Sequence, residues 1–89
     1  MDTRIPKQKS DYRLEELDGE LLLYHPAQTK TVYLNSTASL IWRLCDGNWT
    51  VAAMTELLKE SFPEAADSVE QEIMMTLDQF TDHGAIEFQ

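Results

Sequence analysis

The residues of this chain that could do chemistry are sixteen Asp and Glu, two His and one Cys. Glu15-Glu16, Glu70/Glu72 and Asp78/Asp82 are the carboxylate pairs, and Asp78 and Asp82 are spaced to share one face of a helix. Such pairs could serve as metal ligands or acid–base groups. However, no His or Cys stands at ligand spacing beside them, so they read as solvated faces. His25 precedes Pro26 at a strand end, and His83 lies near a helix C-terminus, where a cation is favourable. Cys45 falls on an apolar stripe and reads as a structural thiol. No Gly-rich phosphate loop and no zinc motif is present. The sequence therefore calls for no catalytic residue, no metal and no cofactor.

Composition narrows the classes further. With 89 residues one domain is expected, small enough that homodimerisation or docking on a larger partner would add useful burial. The formal charge is −9, unevenly spread: residues 1–13 carry +2, which leaves −11 for the remainder. An acidic body is repelled by phosphate, so nucleic acid is not an expected partner, whereas a basic or mixed-charge peptide or protein surface is. A single cysteine excludes an internal disulfide and suits a reducing cytoplasm. There is no apolar run of signal-peptide type and no stretch approaching a membrane helix, so a cytoplasmic chain that avoids membranes is expected.

The elements that must position these residues follow from local pattern. Residues 1–11 read as a flexible lead and residues 12–89 as the folded domain. A first strand is expected over residues 12–17, then an Asp18-Gly19 hairpin turn, since both residues tolerate positive φ. A second strand is expected over residues 20–25 and ends at Pro26. After a polar turn at 27–30, Thr31-Val32-Tyr33-Leu34 is a short third strand rich in β-branched and aromatic residues.

Helices follow. Asn35 or Ser36 caps the first, whose stripe is Ala38, Ile41, Trp42 and Cys45, widened by Leu44, with Gly47 as its stop. Thr50 caps the second, which buries Val51, Met54, Leu57 and Leu58, extended by Phe62 and closed by Pro63. The third begins at Asp67 or Ser68, and Ser68 and Gln71 fit a capping box. Its stripe is Val69, Ile73, Leu77 and Phe80, with Gly84 as its end. Residues 85–88 are either a short extended tail or packed coil. Strands followed by helices give an α+β fold class: a three-stranded antiparallel sheet covered by three helices, with a winged-helix-like arrangement as one topology.

Two features are left over. Thr31 to Leu34 has the length of an edge strand, and Met74-Met75 flank the core stripe of the third helix. Methionine fills irregular core gaps, and it also adapts to varied apolar shapes at peptide-binding surfaces. An edge strand beside an apolar helix flank would form a groove for an extended peptide, with main-chain pairing giving affinity and side-chain pockets giving selectivity.

One stretch, "LLLYHPAQTKTVYLNSTASLIWRLCDGNWTVAAMTELL", closely resembles the PqqD-like family of pyrroloquinoline quinone (coenzyme PQQ) biosynthesis. The resemblance rests on Tyr24 and Pro26, Leu34-Asn35, Ala38, Ile41, Leu44, Asp46-Gly47, Thr50-Val51 and Leu57-Leu58. Val69, Ile73, Leu77 and Gly84 match the last helix, so that residues 12–88 are covered. It implies a winged-helix-like fold and a non-catalytic peptide chaperone. Such a chaperone binds the leader of a ribosomally made precursor peptide and presents it to a modifying enzyme, often a radical S-adenosylmethionine enzyme. The leader would add a strand beside Thr31, Val32, Tyr33 and Leu34 and lie against Gln71, Met74, Met75 and Asp78, where Asp78 would attract a basic leader residue.

Three other classes compete with that adaptor. A winged-helix transcriptional regulator would send the third helix into a DNA groove, yet residues 67–83 are acidic and hold no Lys or Arg. A small enzyme lacks a convergent titratable cluster. A structural subunit of a larger complex would share most of the adaptor's features.

Overall fold

The computed structural model describes residues 2–18, 20–27 and 31–89. In chain order the elements are β1 (Pro6–Gln8), β2 (Arg13–Leu17), β3 (Glu20–Tyr24), β4 (Thr31–Leu34), α1 (Ser36–Leu44), α2 (Val51–Ser61), a 3₁₀ turn (Pro63–Ala65), α3 (Ala66–Asp82) and β5 (Ile86–Phe88). Gly19 of the expected hairpin turn and residues 28–30 of the second turn lie outside the described residues. Asp18 has φ 53°, the left-handed geometry that a tight turn asks of Asp or Asn.

The expected α+β architecture is present: β2, β3 and β4 form an antiparallel sheet in that order, and helices follow. Register places Leu14 opposite Leu23 and Leu23 opposite Val32, so these three share one face of the sheet. Leu23 and Val32 are buried there. Glu15, Leu22 and Tyr33 form the next cross-strand row, on the other face. The unbroken Leu21-Leu22-Leu23 run, which obscures strand alternation in the sequence, thus has one member half-buried beside Tyr33 rather than in the core.

The helices bury the stripes their spacing defines, with one exception on α2: Leu57, expected to be buried, is only half-buried and outside the core, where the adjacent Leu58 takes the inward position. Ala38, Ile41, Trp42 and Cys45 from the first, Val51, Met54 and Leu58 from the second, and Val69, Ile73, Leu77 and Phe80 from the third join Leu23, Val32 and Leu34 in one core. The Trp42 and Phe80 rings meet edge-to-face, centroids 5.3 Å apart, a favoured aromatic geometry. Phe62, expected to extend the α2 stripe, is instead exposed at the C-cap of α2.

Helix ends settle the open choices. Asn35 caps α1, its Oδ1 accepting from the Ala38 N–H at 2.8 Å, and Thr50 Oγ1 accepts from the Ala53 N–H at 3.0 Å. The Ser68–Gln71 capping box does not form. The chain enters α3 through the 3₁₀ turn, Ala65 is the N-cap, and Ser68 Oγ donates to the Ala65 carbonyl instead. The turn begins the helix two residues before Ser68, which leaves Ser68 and Gln71 inside it. Gly84, at φ 70°, ends α3 in left-handed geometry.

The chain termini differ most from the sequence reading. Within residues 85–88, Ile86–Phe88 is a strand, and its partner comes from within the expected lead: β1 pairs antiparallel with β5, Pro6 opposite Phe88, Lys7 opposite Glu87 and Gln8 opposite Ile86. The carbonyls of Arg4 and Asp2 accept from the Val51 and Ala52 N–H groups at 2.9 Å each. The Gln8 N–H donates to the Cys45 carbonyl, and Gln8 Nε2 to the Trp42 carbonyl. The lead is polar because its own side chains bury little apart from Pro6. It is ordered by backbone groups of distant segments, and no local pattern signals those.

Candidate functional site

β4 is an edge strand. It pairs with β3 on one side, and among the described residues no strand pairs with the other. Its side chains alternate, Val32 and Leu34 buried, Thr31 and Tyr33 exposed. Tyr33 is 68% exposed, a large apolar ring left to solvent. In an antiparallel ladder each strand turns alternate pairs of backbone groups away from its neighbour, so β4 presents unpaired N–H and C=O groups along its free edge.

Two grooves meet at the end of this strand. One, of about 650 Å³, is lined by Glu20, Leu21, Tyr33, Leu34, Asn35 and Ser36. The other, of about 390 Å³, is lined by Asn35 and by Ser68, Gln71, Glu72, Met75, Thr76 and Gln79 of α3. Asn35 belongs to both, so the α1 cap sits where they join. The α3 residues recur at three- and four-residue intervals and form one helical flank. Met75 is 64% exposed on it.

The eight residues proposed from sequence are thus divided. Thr31, Val32, Tyr33 and Leu34 form the edge, and Gln71 and Met75 line the adjoining groove. Met74 turns to the other flank, packing against the core and lining a separate groove toward α2. Asp78, four residues on from Met74 and so on the same stripe, is close enough to Arg4 that its charge favours the cationic guanidinium, after the larger effect of Asp2. Asn35, Ser68, Glu72, Thr76 and Gln79 were not singled out as site residues from sequence. The helical spacing around Met75 was the available signal for the four on α3; Asn35 reaches the site only through the chain's turn from β4 into α1.

The groups considered for chemistry occupy other places. Cys45 is fully buried, and desolvation, aided by the Asp46 charge, pushes its thiol up to about 12. It is held as a neutral thiol. His25 and His83, isolated in sequence, line one small cavity with Lys9, Asp11, Tyr12 and Gly84. There the Tyr12 hydroxyl donates to the His83 carbonyl, and the Tyr12 ring stands edge-on to His25 with centroids 5.2 Å apart. His25 Nδ1 accepts from the Ala27 N–H at 3.0 Å, and Nε2 lies 3.8 Å from Asp11 Oδ2. The His25 imidazole is thereby tied to the frame of the fold, while His83 is held there through its backbone carbonyl. Among the described residues, no group of three or more His, Cys, Asp or Glu is arranged to hold a metal ion, and no helix is long and apolar enough to cross a membrane.

Comparison with known proteins bears on this arrangement. The family model described as coenzyme PQQ synthesis protein D matches residues 20–86. The protein called PqqA binding protein 1 of Pseudomonas putida is 38% identical over 74 residues, spanning 76% of this chain and 78% of that protein. The PqqA binding protein of Pseudomonas entomophila is 36% identical over the same shares. No solved structure matches the chain. The matched residues run from the start of β3 through α3 into β5, and so include the edge strand, the α1 cap and the α3 flank. On that match and the identity to both relatives, the chain belongs to the coenzyme PQQ synthesis protein D family.

Proposed function

We propose that this chain is a non-catalytic peptide chaperone. It receives the leader of a ribosomally made precursor peptide as an added strand on β4 and presents that precursor to a modifying enzyme, of the radical S-adenosylmethionine type that the family resemblance suggests. The observation that carries this reading is the free edge of β4, which ends beside an α3 flank bearing an exposed methionine. Two relatives whose names state that they bind PqqA support it. Strand addition supplies affinity through backbone pairing with little regard to sequence, so selectivity falls to Tyr33, Gln71 and Met75 beside it. Met74 and Asp78 lie on the neighbouring stripe and take no part in this groove. The burial and high pKa of Cys45 fit a chain that leaves the chemistry to its partner in the cytoplasm.

The regulator reading gains nothing from the fold, since the whole of α3 lacks a cationic side chain. The test is an NMR titration of the isotope-labelled chain with PqqA. Saturable shifts at Thr31 to Leu34, Gln71 and Met75 are expected. Shifts confined to Leu57, Leu58 and their neighbours, with β4 unmoved at saturation, would refute the site.

A further inference from the structure

A second groove, of about 600 Å³, lies on the opposite flank of α3 from Met75. That volume falls within the range of about 300–1,000 Å³ typical of binding clefts. Its apolar lining comes from Ala52 and Ala53 in the first turn of α2 and from Met74 on α3. Asp2, Glu56, Lys59 and Glu70 stand around it. Met74 is half-buried here, in a place the leader groove does not reach.

The charge of its occupant follows from where the hydrogen bonds go. The N-terminus of a helix ordinarily favours an anion, because its first N–H groups are unsatisfied and its dipole is positive there. Here those groups are already taken. The Val51 N–H donates to the Arg4 carbonyl, Ala52 to the Asp2 carbonyl, Ala53 to Thr50 Oγ1 and Met54 to the Thr50 carbonyl. No donor of the first turn is left for an anionic ligand. Of the carboxylates, Asp2 is neutralised by Arg4 at 2.8 Å. Glu56 and Glu70 are exposed and Lys59 is half-buried, and none of the three makes an ion pair or side-chain hydrogen bond among the described residues. Two open carboxylates against one lysine give the groove a negative rim over an apolar lining.

We propose that this groove is a second protein-docking surface, one that takes a basic, apolar-anchored segment of a partner protein: a Lys or Arg for the rim beside an aliphatic side chain for Met74. It is independent of the β4 edge, so one chain would hold two partners on the two flanks of α3. The strap of residues 2–4 is part of this surface, because Asp2 lines it.

The probe is the peptide acetyl-Lys-Leu-Lys-Leu-Lys-amide, titrated into the isotope-labelled full chain at low salt, with acetyl-Glu-Leu-Glu-Leu-Glu-amide as its charge-reversed counterpart. Saturable shifts are expected at Ala52, Ala53 and Met74 with the basic peptide, while Val32, Tyr33 and Met75 stay unmoved and the acidic peptide shifts nothing. The Glu56→Lys/Glu70→Lys chain should bind the basic peptide more weakly, on the order of tenfold, given what two exposed ion pairs are worth. Unsaturable shifts spread over the acidic surface, shifts at β4 instead of α2, or an affinity unchanged by the double charge reversal would overturn the proposal.

Discussion

Asn35→Ala tests the turn from edge strand to helix on which both grooves depend. Asn35 Oδ1 accepts from the Ala38 N–H at 2.8 Å, and its backbone at φ −78°, ψ 179° has the extended geometry of an N-cap. Alanine fits that backbone, and Asn35 is exposed, so its replacement opens no cavity. The loss is the cap bond alone, about 1 kcal/mol. For a chain of this size that is a fall in Tm of about 4–8 °C. Two companions isolate the cause. Asn35→Asp keeps the acceptor and adds a charge at a helix start with no acidic residue in its first turn, so stability at pH 7 should hold or rise by about 0.3–1 kcal/mol. Ser36→Ala removes a hydroxyl that makes no hydrogen bond among the described residues, and should change stability by less than about 0.5 kcal/mol. Urea unfolding of the three variants at pH 7, compared at constant m, is the assay. If Ser36→Ala were the costly change, or if Asn35→Ala and Asn35→Asp unfolded at the same midpoint, the cap assignment would be refuted, and with it the account of how β4 meets α1.

Leu77→Ala should cost about 2–5 kcal/mol in chemical denaturation, because Leu77 is buried among Val69, Ile73 and Phe80 on the core stripe and leaves a cavity. Met75→Glu should weaken PqqA binding in calorimetric titration while leaving the unfolding midpoint nearly unchanged, since Met75 is exposed; a loss of fold instead of affinity would refute that placement. The folded Cys45 thiol, raised to about 12, should stay unmodified by iodoacetamide at pH 8 and react once the chain is unfolded. The same shift sets a pH dependence. The unfolded thiol ionises first, so the native state binds more protons above about pH 9, and the contribution of Cys45 to stability, complete below that pH, should be lost progressively toward pH 12. Cys45→Ala should remove that part of the alkaline fall.

What the sequence determined by itself was everything whose cause is local. The stripes of α1 and α3 and most of that of α2, the cap at Thr50, the narrowing of the α1 cap to Asn35 or Ser36, the stop at Gly84 and the strand Thr31–Leu34 are consequences of residue spacing and backbone preference within one or two turns. The buried thiol was legible for the same reason. Tertiary structure decided three things that local pattern cannot carry. It split the α3 methionines: Met74 and Met75 are adjacent in sequence but about 100° apart around a helix, and only the packing of α2 and the placing of β4 say which flank each faces. It cancelled the Ser68 cap, because a 3₁₀ turn upstream had already begun the helix. And it ordered the N-terminal lead, whose backbone pairs with β5 and with the first turn of α2; such bonds join groups far apart in the chain, and every residue type but proline can make both kinds, so no side-chain pattern announces them.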